Sequence, residues 1–481
     1  MLLGELLVQE NLIDQADIDL ALDRQRRVGG TIGENLLALG KITAEQLETV
    51  FRRRPAAPAT IEASGLKPTF LVGLMLKCMY LYGLNTPSQL ADEMKLRVAV
   101  VGEVMDLAKE RGFVEVLAVG THVGASDQRF VLSSLGTARA MEELDRSQYA
   151  GPAPVSLEDY HNQIARQRIT HERVSRSRLE RALSHLVIDD TLVDNLGPAV
   201  NSGQTLLLYG PSGNGKTAIA RGLAQSFLNE VYVPYAIEVD GLVIKVFDPS
   251  VHHVSEPLAD EPAALNPKSG RTIRRDQIDR RWQCCRRPVI ATGGELNLSM
   301  LDLVYQAELR FYEAPVQLKA SGGILILDDF GHQAVRPAEI LNRWLVPMEQ
   351  RVDFLSLRTG KKYEFPIDQL TIFATNISPN RLMDPAMIRR FPFKIAVNPP
   401  TFRTFRRIFE GACARHGLTV PPDLLDRLRT DYYERQNRPI AAFHGDFLAN
   451  YVVARCRFEG RLPMIDETIA MDALSHLYIQ Q

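Results

Sequence analysis

The stretch TLLLYGPSGNGKTAIARGLAQSF, residues 205–227, decides the fold of this chain. Its apolar beginning predicts a buried strand, and the apolar spacing toward its end predicts an amphipathic helix. Between them, residues 210–217 read GPSGNGKT, which fits the phosphate-binding pattern GxxxxGKS/T in the strand, loop and helix context that a P-loop requires. The sequence therefore predicts an α/β domain with a nucleotide site where this strand ends.

Each residue type in this loop has a physical reason. Gly210, Gly213 and Gly215 let backbone N–H groups close around a phosphate, where a Cβ atom would intrude. Lys216 can reach the β- and γ-phosphates of ATP, and the Thr217 hydroxyl can ligate Mg²⁺. The residues predicted to bind the nucleotide are Gly210, Pro211, Ser212, Gly213, Asn214, Gly215, Lys216 and Thr217.

Two adjacent carboxylates follow a second apolar run in ILILDDFG, residues 324–331. The continuous apolar run is typical of a central parallel strand, which we expect to end beside the P-loop strand. Asp328 is then a predicted metal ligand together with Thr217, and Asp329 is predicted to face the attacking water as a catalytic residue.

Two further motifs come later in the chain. LTIFATN, residues 370–376, predicts another buried strand, and it ends at Asn376, where an amide could orient water near the γ-phosphate. Arg389 and Arg390 follow in the sequence MIRRF. An arginine there can stabilise the charge of a transferring phosphate, or it can form an ordinary surface ion pair.

In this order the motifs resemble those of the AAA+ ATPases, from about residue 177 to the C-terminus. The resemblance implies Walker A at 210–217, Walker B at Asp328 and Asp329, sensor 1 at Asn376, and an arginine finger at Arg390 in preference to Arg389. It also implies ATP and Mg²⁺ as ligands, with Lys216 among the catalytic residues. Because an arginine finger acts across a subunit boundary, it further implies a homo-oligomeric ring, usually of six subunits.

The chain departs from the AAA+ pattern at the site. That family most often has Glu where Asp329 stands, and the shorter side chain predicts a slow but real ATPase. The α/β core is expected over 177–400 and a helical lid over 401–481. The lid segment that begins FHGDF at Phe443 has no arginine in its first turn, where the sensor 2 arginine often stands, and Arg438 is a candidate substitute.

An insertion is expected near 245–290, because the P-loop and Walker B motifs are far apart. Residues 268–287 carry eight basic and two acidic side chains. Such a run could bind nucleic acid, an acidic partner or a neighbouring subunit's nucleotide, or it could be a solvated loop. The stretch FLSLRTGKKYEF, residues 354–365, resembles extra hairpins that face the pore in some AAA+ branches.

Residues 1–54 contain an internal repeat, since 3–25 and 32–54 align with Gly4 over Gly33. Each copy predicts a helical hairpin, with second helices that open near Asp14 and Thr43. The repeat resembles the N-terminal domain of type II secretion and type IV pilus assembly ATPases, some of which bind cyclic di-GMP. That family usually has Arg where Leu2 and Thr31 stand. The missing guanidinium groups favour a docking module for a protein partner over a cyclic di-GMP receptor.

Residues 67–147 follow a predicted linker over 55–66 and resemble a winged helix-turn-helix domain. The pattern is three helices, the second capped near Thr86, then two extended segments and a fourth helix. Between residues 86 and 112 there are four basic and five acidic residues, so a recognition surface there would have no net attraction for DNA. Protein contact is favoured over nucleic acid binding. A second linker is expected over 148–176.

Composition describes an ordinary globular chain. Of its 481 residues 45% are hydrophobic, and the net charge is −2, so any attraction to nucleic acid or membrane must be local. The five cysteines form no CxxC pair, the first residues lack a basic signal segment, and no apolar run is long enough to cross a membrane. We expect a cytoplasmic protein with no transmembrane segment.

Together these features predict a multidomain α/β protein: an AAA+ ATPase ring that remodels or regulates a protein partner recruited by its N-terminal modules. Two alternatives stay open. The first is a regulator that binds DNA through the winged-helix-like domain, and the second is an ATP-gated scaffold with little turnover.

Overall fold

The computed structural model describes residues 7–8, 12–29, 32–43, 54–117, 128–255 and 278–477. Leu2 and Thr31 of the repeat, and residues 268–277 of the basic run, lie outside these residues.

Two N-terminal helices, α1 (Gln15–Val28) and α2 (Ile32–Ala38), pack on each other. The predicted start near Asp14 is confirmed, because its side chain accepts a hydrogen bond from the N–H of Asp17, and the Asp17 side chain reaches back to Asp14. Such reciprocal capping satisfies N–H groups that have no partner within the helix. A small core that includes Ile18, Ala21 and Leu36 joins the helices.

The next region has the element order expected for residues 67–147. Its elements are α3 (Pro68–Tyr82), α4 (Pro87–Met94), α5 (Val98–Glu110), β1 (Val114–Val116), β2 (Phe130–Leu132) and α6 (Ser134–Arg146). Thr86 caps α4 as predicted, with its hydroxyl accepting from the N–H of Gln89. β1 and β2 pair antiparallel, and the helices share one apolar core.

The middle of the chain alternates helices with short strands. Its elements are β3 (Val155–Ser156), α7 (Leu157–Arg166), α8 (Arg176–Ala182), α9 (Asp190–Ser202), β4 (Leu206–Tyr209), α10 (Lys216–Ala224), β5 (Glu230–Pro234), β6 (Ala236–Val239), β7 (Leu242–Lys245), β8 (Trp282–Arg286) and β9 (Val289–Thr292).

The segment up to residue 396 completes the sheets. Its elements are β10 (Val304–Gln306), β11 (Phe311–Glu313), α11 (Val316–Lys319), β12 (Ile324–Leu327), α12 (Pro337–Gln350), β13 (Val352–Ser356), β14 (Lys362–Pro366), β15 (Leu370–Thr375), α13 (Pro379–Leu382), α14 (Pro385–Arg389) and β16 (Phe393–Ala396).

Five of these strands form a parallel sheet, in the order β16-β4-β15-β12-β9. β12 and β15 are buried along their whole length, as their continuous apolar sequences predict. β12 does not lie directly beside the P-loop strand β4, because β15 pairs with both. All five strands point the same way, so the polar residues that follow them meet at one edge of the sheet.

A second, mixed sheet has the order β10-β11-β7-β6-β3, and β5 pairs with β8 in a separate ribbon. Most of these strands lie between the P-loop and β12, so the inserted structure begins near Glu230 and extends beyond the predicted bounds of 245–290. Ala236, Val243 and Phe311 from these strands pack into the core of the α3–α6 region. The second sheet therefore packs against the α3–α6 region.

Both segments predicted as linkers are held by tertiary contacts with the inserted structure. Within 148–176, β3 pairs with β6, and the buried Tyr160 stacks on Trp282 with ring centroids 6.4 Å apart. Within 55–66, the Pro55 carbonyl accepts from the N–H of Asp279, and the Ser64 carbonyl accepts from Arg281. These segments are folded parts of the molecule because tertiary contacts supply partners for their backbone groups.

The predicted hairpin around residues 354–365 is present as β13 and β14, which pair antiparallel. Its apolar side chains, including Leu355 and Phe365, pack into the core of the second sheet. The basic run is also engaged where it is described: Arg280 pairs with Asp92, and Arg281 with Asp279. Arg280 and Arg281 are thus engaged within the chain, and contact of the basic run with nucleic acid, an acidic partner or a neighbouring nucleotide stays a prediction.

The C-terminal region is helical. Its helices are α15 (Phe402–Arg415), α16 (Leu424–Leu428), α17 (Phe443–Phe458) and α18 (Glu467–Ser475), with a π-helical segment at Arg429–Glu434. They enclose a core of their own.

Across the ranges that the structure covers, none of the helices combines the length and apolar character that crossing a membrane requires.

The close approach of β12 to its neighbours leads to a stability prediction. A Cβ atom at Gly323 would lie 2.0 Å from the carbonyl oxygen of Pro288, which is backbone and cannot move aside cheaply. We expect Gly323→Ala to destabilise the full chain by about 1–3 kcal/mol. Gly102→Ala in α5, where nothing lies within 4 Å, should be neutral or stabilise by about 0.5–1 kcal/mol. Thermal unfolding of both variants checks this, and equal stabilities would contradict it.

Candidate functional site

The P-loop connects β4 to α10, which begins at Lys216. Its glycines all have positive φ, at 144° for Gly210, 77° for Gly213 and 85° for Gly215, a region that other residues rarely adopt. A Cβ atom on Gly210 would also lie 2.3 Å from the Val397 carbonyl oxygen, and one on Gly213 would lie 2.2 Å from the Phe443 ring. The loop conformation therefore requires glycine at these three positions even without a bound phosphate.

The Lys216 side chain folds back over the loop. Its Nζ donates to the carbonyl oxygens of Gly210 and Pro211, at 2.9 Å each, and the residue is buried. Burial lowers the pKa of the Lys216 ammonium, while the carboxylates of Asp329 and Asp328 act to raise it. A phosphate approaching this ammonium would add a further negative charge and so favour the protonated form.

Thr217 and Asp328 meet at the edge of the parallel sheet. The Thr217 hydroxyl donates to Oδ1 of Asp328 across 3.0 Å, although the two residues are 111 positions apart in the chain. A hydroxyl and a carboxylate are oxygen donors of the kind that Mg²⁺ prefers, and Mg²⁺ usually keeps several waters and takes few protein ligands. The pair therefore fits a Mg²⁺ ion that also binds substrate phosphates.

Asp329 is exposed, and its backbone lies in the left-handed region, with φ at 46°. Its N–H donates to Oδ1 of Asp328 at 3.0 Å. Asp and Asn tolerate this conformation better than most residues with a side chain. The backbone thus gives a physical reason for Asp at a position where the family pattern expects Glu.

Asn376 follows β15 and is exposed at the same edge of the sheet. Its Oδ1 lies 2.8 Å from Nε2 of His332, which stands three residues after Asp329. The Gln333 amide also donates to the backbone carbonyl oxygens of Asp328 and Asp329. His332 and Gln333 were not predicted from the sequence, because neither belongs to a motif. The one signal for them is their position three and four residues after Asp329.

The two arginines lie on the surface at the end of α14. Arg390 pairs with Glu349 of α12, whereas Arg389 is exposed and has no ion pair among the residues that the structure describes. Within one chain, no hydrogen bond or ion pair in the described ranges joins either arginine to the P-loop. The sequence preference for Arg390 over Arg389 stays a prediction.

Arg438, the candidate sensor 2 substitute, points into the C-terminal helical region. Its guanidinium lies over the Tyr432 ring at 4.6 Å and donates to the Tyr432 hydroxyl. The residues of this region that meet the P-loop are Ala442 and Phe443, which bond Asn214 and Gly213. The contact between this region and the P-loop is made by main chain and an aromatic ring, and Arg438 as a sensor 2 substitute stays a prediction.

This arrangement brings an ammonium, an oxygen-lined cation position, a free carboxylate and an amide to the carboxyl ends of parallel strands. In α/β folds this edge is where ligands bind. Taken together, these groups can bind a polyphosphate with a divalent cation and polarise a water molecule near it.

Comparison with known proteins gives limited matches. A family profile described as a domain of unknown function (DUF8689) matches residues 401–475. No curated protein matches the sequence.

Among solved structures, NtrX from Brucella abortus in complex with ADP is similar at 13% identity and a TM-score of 0.36, over 61% of this chain and 56% of that chain. A RuvB mutant from Thermotoga maritima is similar at 11% identity and a TM-score of 0.32, over 64% of this chain and 73% of that chain. The chain thus spans little more than half of the NtrX chain. TM-scores this low do not establish a common fold.

The Thr217 and Asp328 pair leads to a prediction about Mg²⁺. Thr217→Ala and Asp328→Asn each remove one oxygen ligand, so we expect the Mg²⁺ concentration for half-maximal nucleotide binding to rise roughly tenfold or more. Titration of Mg²⁺ against a fluorescent ATP analogue measures this without requiring hydrolysis. Thr191→Ala, an exposed threonine on α9, is the matched control and should leave the midpoint unchanged. If the midpoint were unchanged in both site variants, Thr217 and Asp328 would not be the ligands of Mg²⁺.

Proposed function

We propose that this chain is an AAA+ ATPase that binds and hydrolyses Mg²⁺-ATP. The observation that carries the proposal is the hydrogen bond between Thr217 and Asp328, which joins the P-loop to the acid pair at one edge of a parallel sheet. A structural ion pair or cap would not need a glycine-rich loop, a buried lysine and an exposed second carboxylate around it. These groups are the ones that phosphoryl transfer to water requires.

The residues of the site have distinct roles in the proposed reaction. Lys216 leaves the loop carbonyls and binds the β- and γ-phosphates, and the loop N–H groups hold the β-phosphate. Asp329 and Asn376 orient the water whose oxygen attacks the γ-phosphorus, while the bond to the bridging oxygen breaks. The Asp329 carboxylate takes the proton that this water loses. Thr217 and Asp328 would hold Mg²⁺, which would supply positive charge to the phosphate oxygens.

The proposal includes a ring, in which an arginine from one subunit completes the site of the next. Arg390 is paired with Glu349, but an exposed ion pair contributes little stability, so this guanidinium can exchange a carboxylate for a phosphate. Arg389 is already unpaired within the described chain and is the alternative donor. A hexamer is the assembly we expect.

We further propose that the ring remodels a protein partner bound by the N-terminal modules. The second sheet supports this, because it contacts both the hairpin β13–β14 and the α3–α6 region. DNA binding by α5 is less well supported, since its exposed positions include Glu103, Asp106 and Glu110 against a single Lys109. Carboxylates on that face would repel the DNA backbone.

Two substitutions separate a true ATPase from a nucleotide-gated scaffold. Lys216→Ala should abolish both nucleotide binding and hydrolysis. Asp329→Asn should keep nucleotide binding but lower the hydrolysis rate at least about 100-fold, because Asn tolerates the left-handed backbone while removing the base. Steady-state phosphate release and nucleotide binding measure the two effects. Wild-type turnover no faster than that of Asp329→Asn, under saturating Mg²⁺-ATP, would favour the scaffold.

Mixed assemblies test the shared site. Lys216→Ala subunits keep their arginines, whereas Arg390→Ala subunits keep an intact P-loop. Mixing the two inactive proteins should restore part of the hydrolysis, since some interfaces then pair a good loop with a good arginine. Arg389→Ala in the same experiment identifies which arginine acts. If the hydrolysis rate of the mixture never exceeds the summed rates of the two separate proteins, at any mixing ratio, the arginine does not come from the neighbouring subunit.

A further inference from the structure

The loop that follows the acid pair is held by one of its own side chains, the amide of Gln333. Nε2 of Gln333 lies 3.1 Å from the carbonyl oxygen of Asp328 and 3.3 Å from that of Asp329. The same nitrogen lies 3.3 Å from the Gly293 carbonyl oxygen, and Oε1 accepts from the Gly331 N–H at 2.8 Å. Asp329 and Gly331 both have positive φ, at 46° and 109°. A backbone of this kind needs local partners to persist, and the Gln333 amide supplies them.

The same loop is fixed against the end of β15. The Phe330 N–H donates to the Ala374 carbonyl oxygen at 2.8 Å. A Cβ atom at Gly331 would lie 2.6 Å from the side chain of Ile377, the residue that follows Asn376. Because these contacts involve backbone and a packed apolar side chain, they fix the spacing between the loop and the turn after β15.

His332 lies in this loop and bonds Asn376 across the gap. Its ring Nε2 is 2.8 Å from Oδ1 of Asn376. An amide oxygen has no hydrogen to give, so Nε2 must carry the proton and the imidazole is the donor. The backbone N–H of His332 also donates to the Asp329 carbonyl oxygen at 3.0 Å. One residue thus contacts both of the groups that are proposed to orient the attacking water.

The bond from His332 decides which end of the Asn376 amide is left for a ligand. A carboxamide has an oxygen acceptor at one end and an NH₂ donor at the other, and the two ends have nearly the same shape. An Asn side chain without a fixed partner can therefore present either end. With Oδ1 held by a donor, the end that remains is Nδ2.

We propose that His332 is a positioning residue that makes Asn376 present its N–H donors to the attacking water; this rests on the ATP hydrolysis proposed above. A water that accepts from Nδ2 and donates to the Asp329 carboxylate keeps a second lone pair for the γ-phosphorus. As this lone pair forms the new P–O bond, the bond to the bridging oxygen breaks and ADP leaves with its electron pair. The water's proton passes to Asp329.

The test is steady-state phosphate release by the full-length chain. We expect His332→Ala to lower kcat about tenfold and to change KM less than about twofold, because the amide loses its fixed orientation while the phosphate-binding groups are unchanged. His332→Gln supplies an N–H donor at the same place and should stay within about threefold of the wild-type kcat. His416→Ala, at an exposed histidine after α15, is the matched control and should change neither constant.

A double-mutant cycle separates positioning from direct catalysis. Asn376→Ala should itself lower kcat. Adding His332→Ala should then lower it less than about twofold further, because a residue that acts only through Asn376 has no amide left to orient. A further tenfold loss would mean that His332 acts without Asn376, and it would overturn the proposal.

Two further measurements complete the experiment. Thermal unfolding and binding of a fluorescent ATP analogue should be the same in His332→Ala and in the wild type, because the role concerns turnover alone. A kcat equal to that of the wild type in His332→Ala, or a loss that His332→Gln does not restore, would overturn the role of His332 and leave the proposed ATPase standing. Wild-type turnover no faster than that of Lys216→Ala would overturn both.

Discussion

The pairing of β15 with both β4 and β12 is the constraint on which the site depends. It sets the P-loop, Asn376 and Asp328 at one edge of the sheet, and it lets Thr217 bond a carboxylate 111 residues away. A register shift of one residue in β12 would turn Asp328 to the opposite face. The inserted structure must therefore leave and rejoin the sheet without moving these strands. The close approach of Gly323 to the Pro288 carbonyl is part of how it does so.

What the sequence predicts well is local. The P-loop, the buried strands β12 and β15, and the Thr86 cap follow from residue types within a few positions of each other. The second sheet could not be predicted in this way, because β3 at residue 155 pairs with β6 near residue 237 and no local period encodes that partner. Likewise, the approach of His332 to Asn376 and of Phe443 to Gly213 depends on tertiary packing between elements far apart in the chain.

Buried polar groups tie the hairpin β13–β14 to α11 and α12, and the segment before α8 to the segment before β9. Asp353 of β13 is 1% exposed and accepts from Arg343 of α12 and from Gln317 of α11. Glu172 is similarly buried between Arg178 and Arg287. Separating either group would leave a buried charge without compensation, which is costly. The hairpin, whose apolar side chains pack into the core of the second sheet, is therefore expected to move with α12 rather than independently of it.

The Pro211 carbonyl oxygen is shared by two donors of the P-loop. It accepts from both Lys216 and Asn214, and a carbonyl oxygen has two lone pairs, so a phosphate takes one donor from it and leaves the other. The net contribution of one hydrogen bond is about 0.5–1.5 kcal/mol, which is also the scale of many allosteric couplings. Moving Lys216 from this oxygen to a phosphate would therefore cost about one hydrogen bond, while the Asn214 amide still satisfies the carbonyl.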